Sequence, residues 1–522
     1  MKELKFEELT TRQKLGMTFT AVLHGAKRTD EDDAFVLDLI KNHSLGAVWI
    51  EKGFENSAAQ IAKVKEVADY PILILTDAES GLGEYLVGKH NAIGCAGTEA
   101  HAYAFGKAVG VTARKMGYNV VCDPVIDMRD GNPRSLGTDR EQVAKLGAAE
   151  ARGMHDGGVL TVGKHYPGGI NRDSIDSHMA ESISDETKED LLERGVYPYI
   201  KLNEEGLLDG VMVGHMRFPN IDPQHPATLS KPVIDILREQ GYNGFVITDA
   251  LCMMGIRAKY GEVISKGLAI SAGVDTLLPY TWNNTEQFSQ YCEAYEQGLV
   301  PNDMLDAAVK RILEAQHKVT LLPQDAELTE EEIKTAKSIN KDGVYTRVDE
   351  GLPTAISRDG KHYFVLIVNQ NETIGANGKV EVDTFSGGWH KPARITAKID
   401  ELFPNSHVQT IHQFPSQGEM WTILNQTFGY EELVFVNFTE APAYTGRDHI
   451  TIRLTSLIEA MQLTNRISTM IHLGNPRVLN VLPHIPRYIF GGHSAESVDT
   501  CLEVLAGEYP ANGVPTFQFT LK

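Results

Sequence analysis

Short, unbroken apolar runs recur through the first half of the chain, and they limit the possible fold more than any other feature. They read "GAVWI" (46–50), "PILILTD" (71–77), "NVVCDPVID" (119–127), "VLTVGKH" (159–165), "GVMVGH" (210–215), "GFVITD" (244–249) and "GVDTLLP" (273–279), with an earlier one at "MTFTAVLH" (17–24). Each is continuous rather than alternating, as strands buried on both faces of a parallel sheet must be. Helical patterns separate them. The clearest is "LSKPVIDILREQG", with Ser230 as N-cap, Pro232 in the first turn, Val233, Ile236 and Leu237 on one side and Gly241 as the stop. Eight such strands alternating with helices predict an α/β fold, a (β/α)8 TIM-type barrel over residues 1–325. An open doubly wound sheet is the rival. No G-x-G-x-x-G follows the first strands, which counts against a dinucleotide site.

At 522 residues the chain exceeds one ordinary core. Beyond "NDMLDAAVKRILEAQHKVTLL", a predicted last barrel helix, the sequence turns polar, and residues 326–355 read as a linker with some helix. Strand-like runs resume at "HYFVLIV" (362–368), "ELVFVNF" (432–438), "ISTMIHLG" (467–474) and "PRYIFGG" (486–492), with helical patterns between them. Residues 356–522 therefore read as a second α/β domain. The formal net charge of -21 argues against a nucleic-acid backbone or an anionic membrane surface as partner. The charged start has no apolar signal-peptide core, and the five cysteines show no C-x-x-C spacing. Both features fit a cytoplasmic protein with reduced thiols. No metal or cofactor is expected, and the oligomeric state is left open.

In a barrel, reactive groups project from the C-terminal ends of strands. Asp77, Asp127, Lys164, His165, His215 and Asp249 all fall there. The plainer reading is that polar residues merely mark strand ends, and it suits any one of them better than it suits six. Asp249 can attack an electrophilic carbon, bind a hydroxyl or cap the next helix. Asp176-Ser177-His178 places a carboxylate and an imidazole two residues apart, where the first can orient the second; a metal site or a solvated loop are the plainer readings. Lys164-His165 precede "YPGG", a forced turn, and "GNPRSLG" presents Arg134 as a forked donor.

Taken together these stretches resemble glycoside hydrolase family 3, in its bacterial β-N-acetylglucosaminidase branch. That branch carries K-H-F-P-G-H-G and then D-x-H; here stand Lys164-His165-Tyr166-Pro167-Gly168 and Asp176-Ser177-His178. Its nucleophile segment, S/T-D-D-L-x-M-x-G, is matched by Thr248 through Gly255. The resemblance covers most of residues 40–320. Less specifically, the tail is similar to the family's second domain, an αβα sandwich. The resemblance implies a retaining exo-β-N-acetylglucosaminidase acting on cell-wall or chitin fragments. It assigns Asp249 as nucleophile, His178 as general acid/base, Asp176 as its orienting partner, and Asp77, Arg134, Lys164, His165 and His215 as sugar-binding residues. The chain departs from the pattern in three places. Leu82 stands where D-Q-E-G-G-R has its arginine, Gly169 replaces the second histidine of K-H-F-P-G-H-G, and Ala250 replaces the second aspartate. A phosphorylase of the same family, a metal-dependent hydrolase built on His165, His178 and His215, and a catalytically silent sugar-binding protein are the rivals.

Overall fold

The continuous apolar runs are strands buried on both faces. A computed structural model describes residues 1–23, 29–53, 56–128, 134–170, 175–368, 391–438, 450–474 and 476–516, and the backbone of 370–374 and 380–384. The chain divides into two units, the first formed by residues 1–86, 99–129 and 135–336 and the second by 87–98, 130–134 and 337–522.

In the first unit seven strands pair in sequence order: β1 (Thr20–Val22), β2 (Ala47–Trp49), β3 (Leu73–Thr76), β4 (Val120–Val121), β5 (Leu160–Tyr166), β6 (Gly210–Val213) and β7 (Phe245–Thr248). Every pairing is parallel. The eighth predicted strand, 273–279, is reduced to two bridge residues: Thr276 pairs with Ile247 and Leu277 with Phe19, which joins β7 back to β1. Asp275 stands beside these bridges. Its buried carboxylate accepts from Arg238 and Arg311 at 2.8 Å each and from the Val246 N–H at 2.8 Å. Alternate residues of successive strands meet in one apolar cluster, among them Val22, Trp49, Leu75, Val120, Val162 and Ile247, closed by Ile312 and Ala315 of the helix Asn302–Val319. The helix Lys231–Glu239 starts where its sequence says. Ser230 Oγ accepts from the Val233 N–H, Pro232 stands in the first turn, and Gly241 follows at φ +80°.

In the second unit a six-stranded sheet combines β8 (Tyr345–Val348), β9 (His362–Val368), β10 (His407–His412), β11 (Glu432–Asn437), β12 (Ile467–Leu473) and β13 (Arg487–Gly491) in the order 8-13-12-11-9-10. Only the β8–β13 pair is antiparallel. Successive residues of β9 face opposite cores. Tyr363, Val365 and Ile367 meet the helix Ile452–Leu463 through Leu454 and Ile458; Phe364 and Leu366 meet the helices Pro392–Leu402 and Ala495–Leu505. This is an αβα sandwich. Within the segment 326–355, read as linker, lie the helix Glu330–Asp342 and β8. The four strands legible in the sequence are the four central ones, and the two it does not announce, β8 and β10, are the two edges. Edge strands are half solvated, so their sequences "YTRV" and "HVQTIH" lack the unbroken apolar run. Among the described residues all five cysteines are free, and no helix is long and apolar enough to cross a membrane.

The helices Glu99–Met116 and Arg140–Gly157 of the first unit approach backbone to backbone. A Cβ at Gly106 would stand 2.0 Å from Glu150 O, and one at Gly153 2.2 Å from Tyr103 O. Main chain inside a helix cannot rotate aside as a side chain can, so the helices would have to part. Gly153→Ala is expected to destabilise the protein by about 1–3 kcal/mol, the usual cost of overpacking. The measurement is the urea midpoint, and an unchanged midpoint would mean that this contact is slack.

Candidate active site

Parallel pairing places every strand's C-terminal end on one rim, and Asp77, Lys164, His165, His215 and Asp249 lie there. In β5 the register with β6 shifts between Lys164 and Tyr166, which leaves His165 in a bulge. Strict alternation would send neighbouring side chains to opposite faces. Across the bulge both residues reach carboxylates: Lys164 Nζ donates to Asp77 Oδ1 and to Glu79 Oε1 (2.7 Å), and His165 Nδ1 lies 3.2 Å from Asp127 Oδ2. Lys164 is only 1% exposed. An ammonium so far from water requires this pairing, because its desolvation would otherwise go uncompensated.

His215 follows β6. Its Nε2 lies 3.0 Å from Ala250 O and its Nδ1 2.7 Å from Thr228 Oγ1. A carbonyl only accepts, so Nε2 carries a proton and donates it. Burial, opposed by the charge of Asp249, lowers the ring's pKa, and the Thr228 hydroxyl beside Nδ1 donates to Gly214 O at 2.5 Å. With both nitrogens engaged and 2% exposure, His215 holds the turn after β7. Asp249 opens that turn. Its backbone N–H donates to Val213 O (2.9 Å), and its Oδ1 accepts from the Ala250 N–H (2.7 Å). It caps no helix: the next one, Met254–Tyr260, begins after Met253 without a side-chain cap.

The dyad closes as the D-x-H spacing predicts. His178 Nδ1 lies 2.6 Å from Asp176 Oδ1, which also accepts the His178 backbone N–H at 2.9 Å. This fixes the tautomer, with the proton on Nδ1 directed at the carboxylate and Nε2 turned away from it. The residues around the dyad form a flap. Met254 N–H donates to His178 O (3.1 Å) and Gly255 N–H to Ser177 O (3.3 Å). The imidazole is therefore moored to the segment that begins at Asp249. Residues 171–174, part of the glycine-bearing loop, lie outside the described residues, as do 131–133 beside Arg134. Arg134 itself belongs to the second unit, where its carbonyl accepts from His90 Nδ1 (3.1 Å).

Three rim residues escape a reading of apolar runs. Glu79 is visible only as the second acid of "DAES", and Thr228 only as a hydroxyl in "PATLS". Glu51, at the end of "GAVWI", accepts on Oε2 from Trp49 Nε1 (3.2 Å) and Tyr280 OH (3.1 Å). Burial, and then the charge of Asp77, push its pKa from 4.5 up to about 7. Between those values the folded chain keeps a proton that the unfolded chain has released. Stability therefore falls as pH rises through this window, and above it the full penalty remains, on the order of 3 kcal/mol. Glu51→Gln should flatten that slope. Relative to the natural chain, the variant should be more stable at pH 8 than at pH 4.5 by chemical denaturation, and an equal difference at both would refute the assignment.

A closed parallel barrel with ionisable groups gathered on its C-terminal rim has the form of a barrel enzyme. Residues 10–315 match the glycosyl hydrolase family 3 N terminal domain, more than half of the chain, and the chain belongs to that family. It is similar to the beta-N-acetylglucosaminidase/beta-glucosidase of Cellulomonas fimi, 26% identical over 346 residues, 60% of each chain. It is also similar to beta-hexosaminidase LpqI of Mycobacterium tuberculosis, 29% identical over 308 residues, 54% of this chain and 76% of that one. The match thus spans less than two thirds of the Cellulomonas protein's length. Among solved structures, a glycoside hydrolase family 3 beta-N-acetylglucosaminidase from Paenibacillus sp. str. FPU-7 aligns over 98% of this chain and 100% of its own, with a TM-score of 0.77 and 25% identity. Beta-glucoside phosphorylase BglX, 21% identical, shares the fold over 98% of this chain and 94% of its own, with a TM-score of 0.78.

Proposed function

We propose that the protein is a retaining, exo-acting β-N-acetylglucosaminidase that releases terminal N-acetylglucosamine by way of a covalent glycosyl-enzyme on Asp249. One observation carries this reading: the turn that presents Asp249 also moors, through the N–H groups of Met254 and Gly255, the flap that presents His178. Retaining glycosidases need a nucleophile at the anomeric carbon and a proton donor beside the leaving oxygen. A carboxylate and an imidazole tied to one short segment at a barrel rim supply both. The names of the Cellulomonas, Mycobacterium and Paenibacillus relatives support the sugar.

In the first step the Asp249 carboxylate attacks C1 of the sugar. His178, protonated on both nitrogens, passes its Nε2 proton to the glycosidic oxygen as the C1–O bond breaks. The Nδ1 proton stays on the ring throughout, donated in a hydrogen bond to Asp176, whose carboxylate offsets the imidazolium charge. In the second step water attacks C1, neutral His178 takes its proton on Nε2, and the carboxylate of Asp249 departs. Lys164, His165 and Asp77 hold the sugar's hydroxyls. A neutral imidazole repels an incoming phosphate less than a carboxylate would, so phosphate is the competing acceptor to test.

The test is a slow fluorinated N-acetylglucosaminide followed by peptide mapping, with the label expected on the peptide that contains Asp249. Turnover in Asp249→Ala should fall to background. His178→Ala should lose about 10²–10⁴-fold, the usual worth of positioned proton transfer. The sugar product should be free N-acetylglucosamine with or without phosphate. A sugar 1-phosphate that rises with phosphate would make the protein a phosphorylase instead, and a label elsewhere would remove Asp249 from the role.

A further inference from the structure

The dyad orients the His178 ring but does not by itself hold the flap that carries it. The bonds inside the flap are local: Asp176 O accepts from the N–H groups of Met179 (3.0 Å) and Ala180 (3.1 Å). These shape a turn, which the N–H groups of Met254 and Gly255 tie to the segment after Asp249. Three further contacts join it to the barrel rim. Three residues past His178, Glu181 receives Arg217 on both oxygens, Nε to Oε1 and Nη2 to Oε2 at 3.0 Å each. Lys259, on the helix that follows the Asp249 turn, stands 3.6 Å from the same carboxylate. Arg217 also grips the flap's backbone, since its N–H donates to Ser182 O and its carbonyl accepts from the Ser184 N–H, both at 2.9 Å. Gly255 completes the set by absence of bulk. A Cβ there would lie 2.9 Å from Ser177 O and 3.0 Å from Ala180 O, so only a bare Cα lets the flap sit this low.

Arg217 stands two residues after His215. One short segment beyond β6 therefore holds the nucleophile's turn through the His215–Ala250 bond and the flap through the Arg217–Glu181 pair. We propose that the His215–Arg217 segment is a strut setting the spacing between nucleophile and acid/base, with Arg217, Glu181 and Gly255 as positioning residues for proton transfer by His178. The inference rests on the glycosidase reading above and adds residues that touch neither sugar nor aglycone. It also carries a specific kinetic signature. Proton donation matters only when the departing alcohol is a poor leaving group, so a displaced imidazole slows poor leaving groups and spares good ones. A misplacement of about 1 Å can cost about 10²-fold.

The test compares kcat/KM for 2,4-dinitrophenyl and 4-methoxyphenyl N-acetyl-β-glucosaminides in Glu181→Gln and in Gly255→Ala, with Arg217→Lys as a further variant should either fail to accumulate. The expected result is a loss of about 10–100-fold on the methoxyphenyl substrate and under about 3-fold on the dinitrophenyl one. Azide, a nucleophile that needs no general base, should restore turnover of the dinitrophenyl substrate once release of the glycosyl-enzyme limits it. Equal losses on both substrates, or no loss on either, would overturn the strut while Asp249 labelling in the natural chain left the glycosidase reading intact. An unmodified protein that is inert on both substrates and unlabelled at Asp249 would overturn both.

Discussion

Parallel pairing around a closed ring is the constraint from which the rest of the first unit follows. A parallel strand cannot return directly to its neighbour, so each strand must be followed by a crossover, here helical, and each strand then points the same way as the last. All C-terminal ends share one rim. Residues as distant in sequence as Asp77, Lys164, His215 and Asp249 become neighbours without any local signal joining them. Closure depends on a slender element, the Thr276–Leu277 bridges, next to the buried Asp275 that Arg238 and Arg311 hold.

The rim is rich in acids, and its basic groups are distributed against them. Lys164 is shared by Asp77 and Glu79, while Asp127 faces His165 and Asp176 faces His178. At Glu51, burial and then the charge of Asp77 raise the pKa. His215 stands apart from the other two histidines. Its ring, engaged on both nitrogens, works as a brace on the Asp249 turn, whereas His165 and His178 each turn Nδ1 to a carboxylate. Three histidines that look alike as letters thus sit in different settings, and the difference lies in what the fold sets against each ring.

Legibility in the sequence followed burial. The seven paired barrel strands and the four central strands of the second sheet are buried on both faces, and continuous apolar runs announced them. The edge strands β8 and β10 are half solvated and did not stand out. At the site, Asp249, Lys164 and His165 were legible because each ends or interrupts an apolar run, and His178 because its partner is two residues away. Glu51, Glu79 and Thr228 were not legible. Their importance comes from what they face across the rim, and nothing beside them in the chain records it. The same holds for Glu181 and Arg217, which lie 36 residues apart and carry no motif.

By itself the sequence determined the periodicities, and with them the alternation of strand and helix, the parallel class of the sheets, the Asp176–His178 pair and the identity of the residue at each strand's end. These depend on neighbours within a few positions, where side-chain direction follows from backbone geometry alone. Only the tertiary structure decided which strand ends meet, that His215 braces the Asp249 turn, and that the flap rests on Gly255 under the hold of Arg217. Those outcomes depend on the closure of the barrel and on distances of a few ångströms between segments far apart in the chain, and no local pattern of residues encodes such distances.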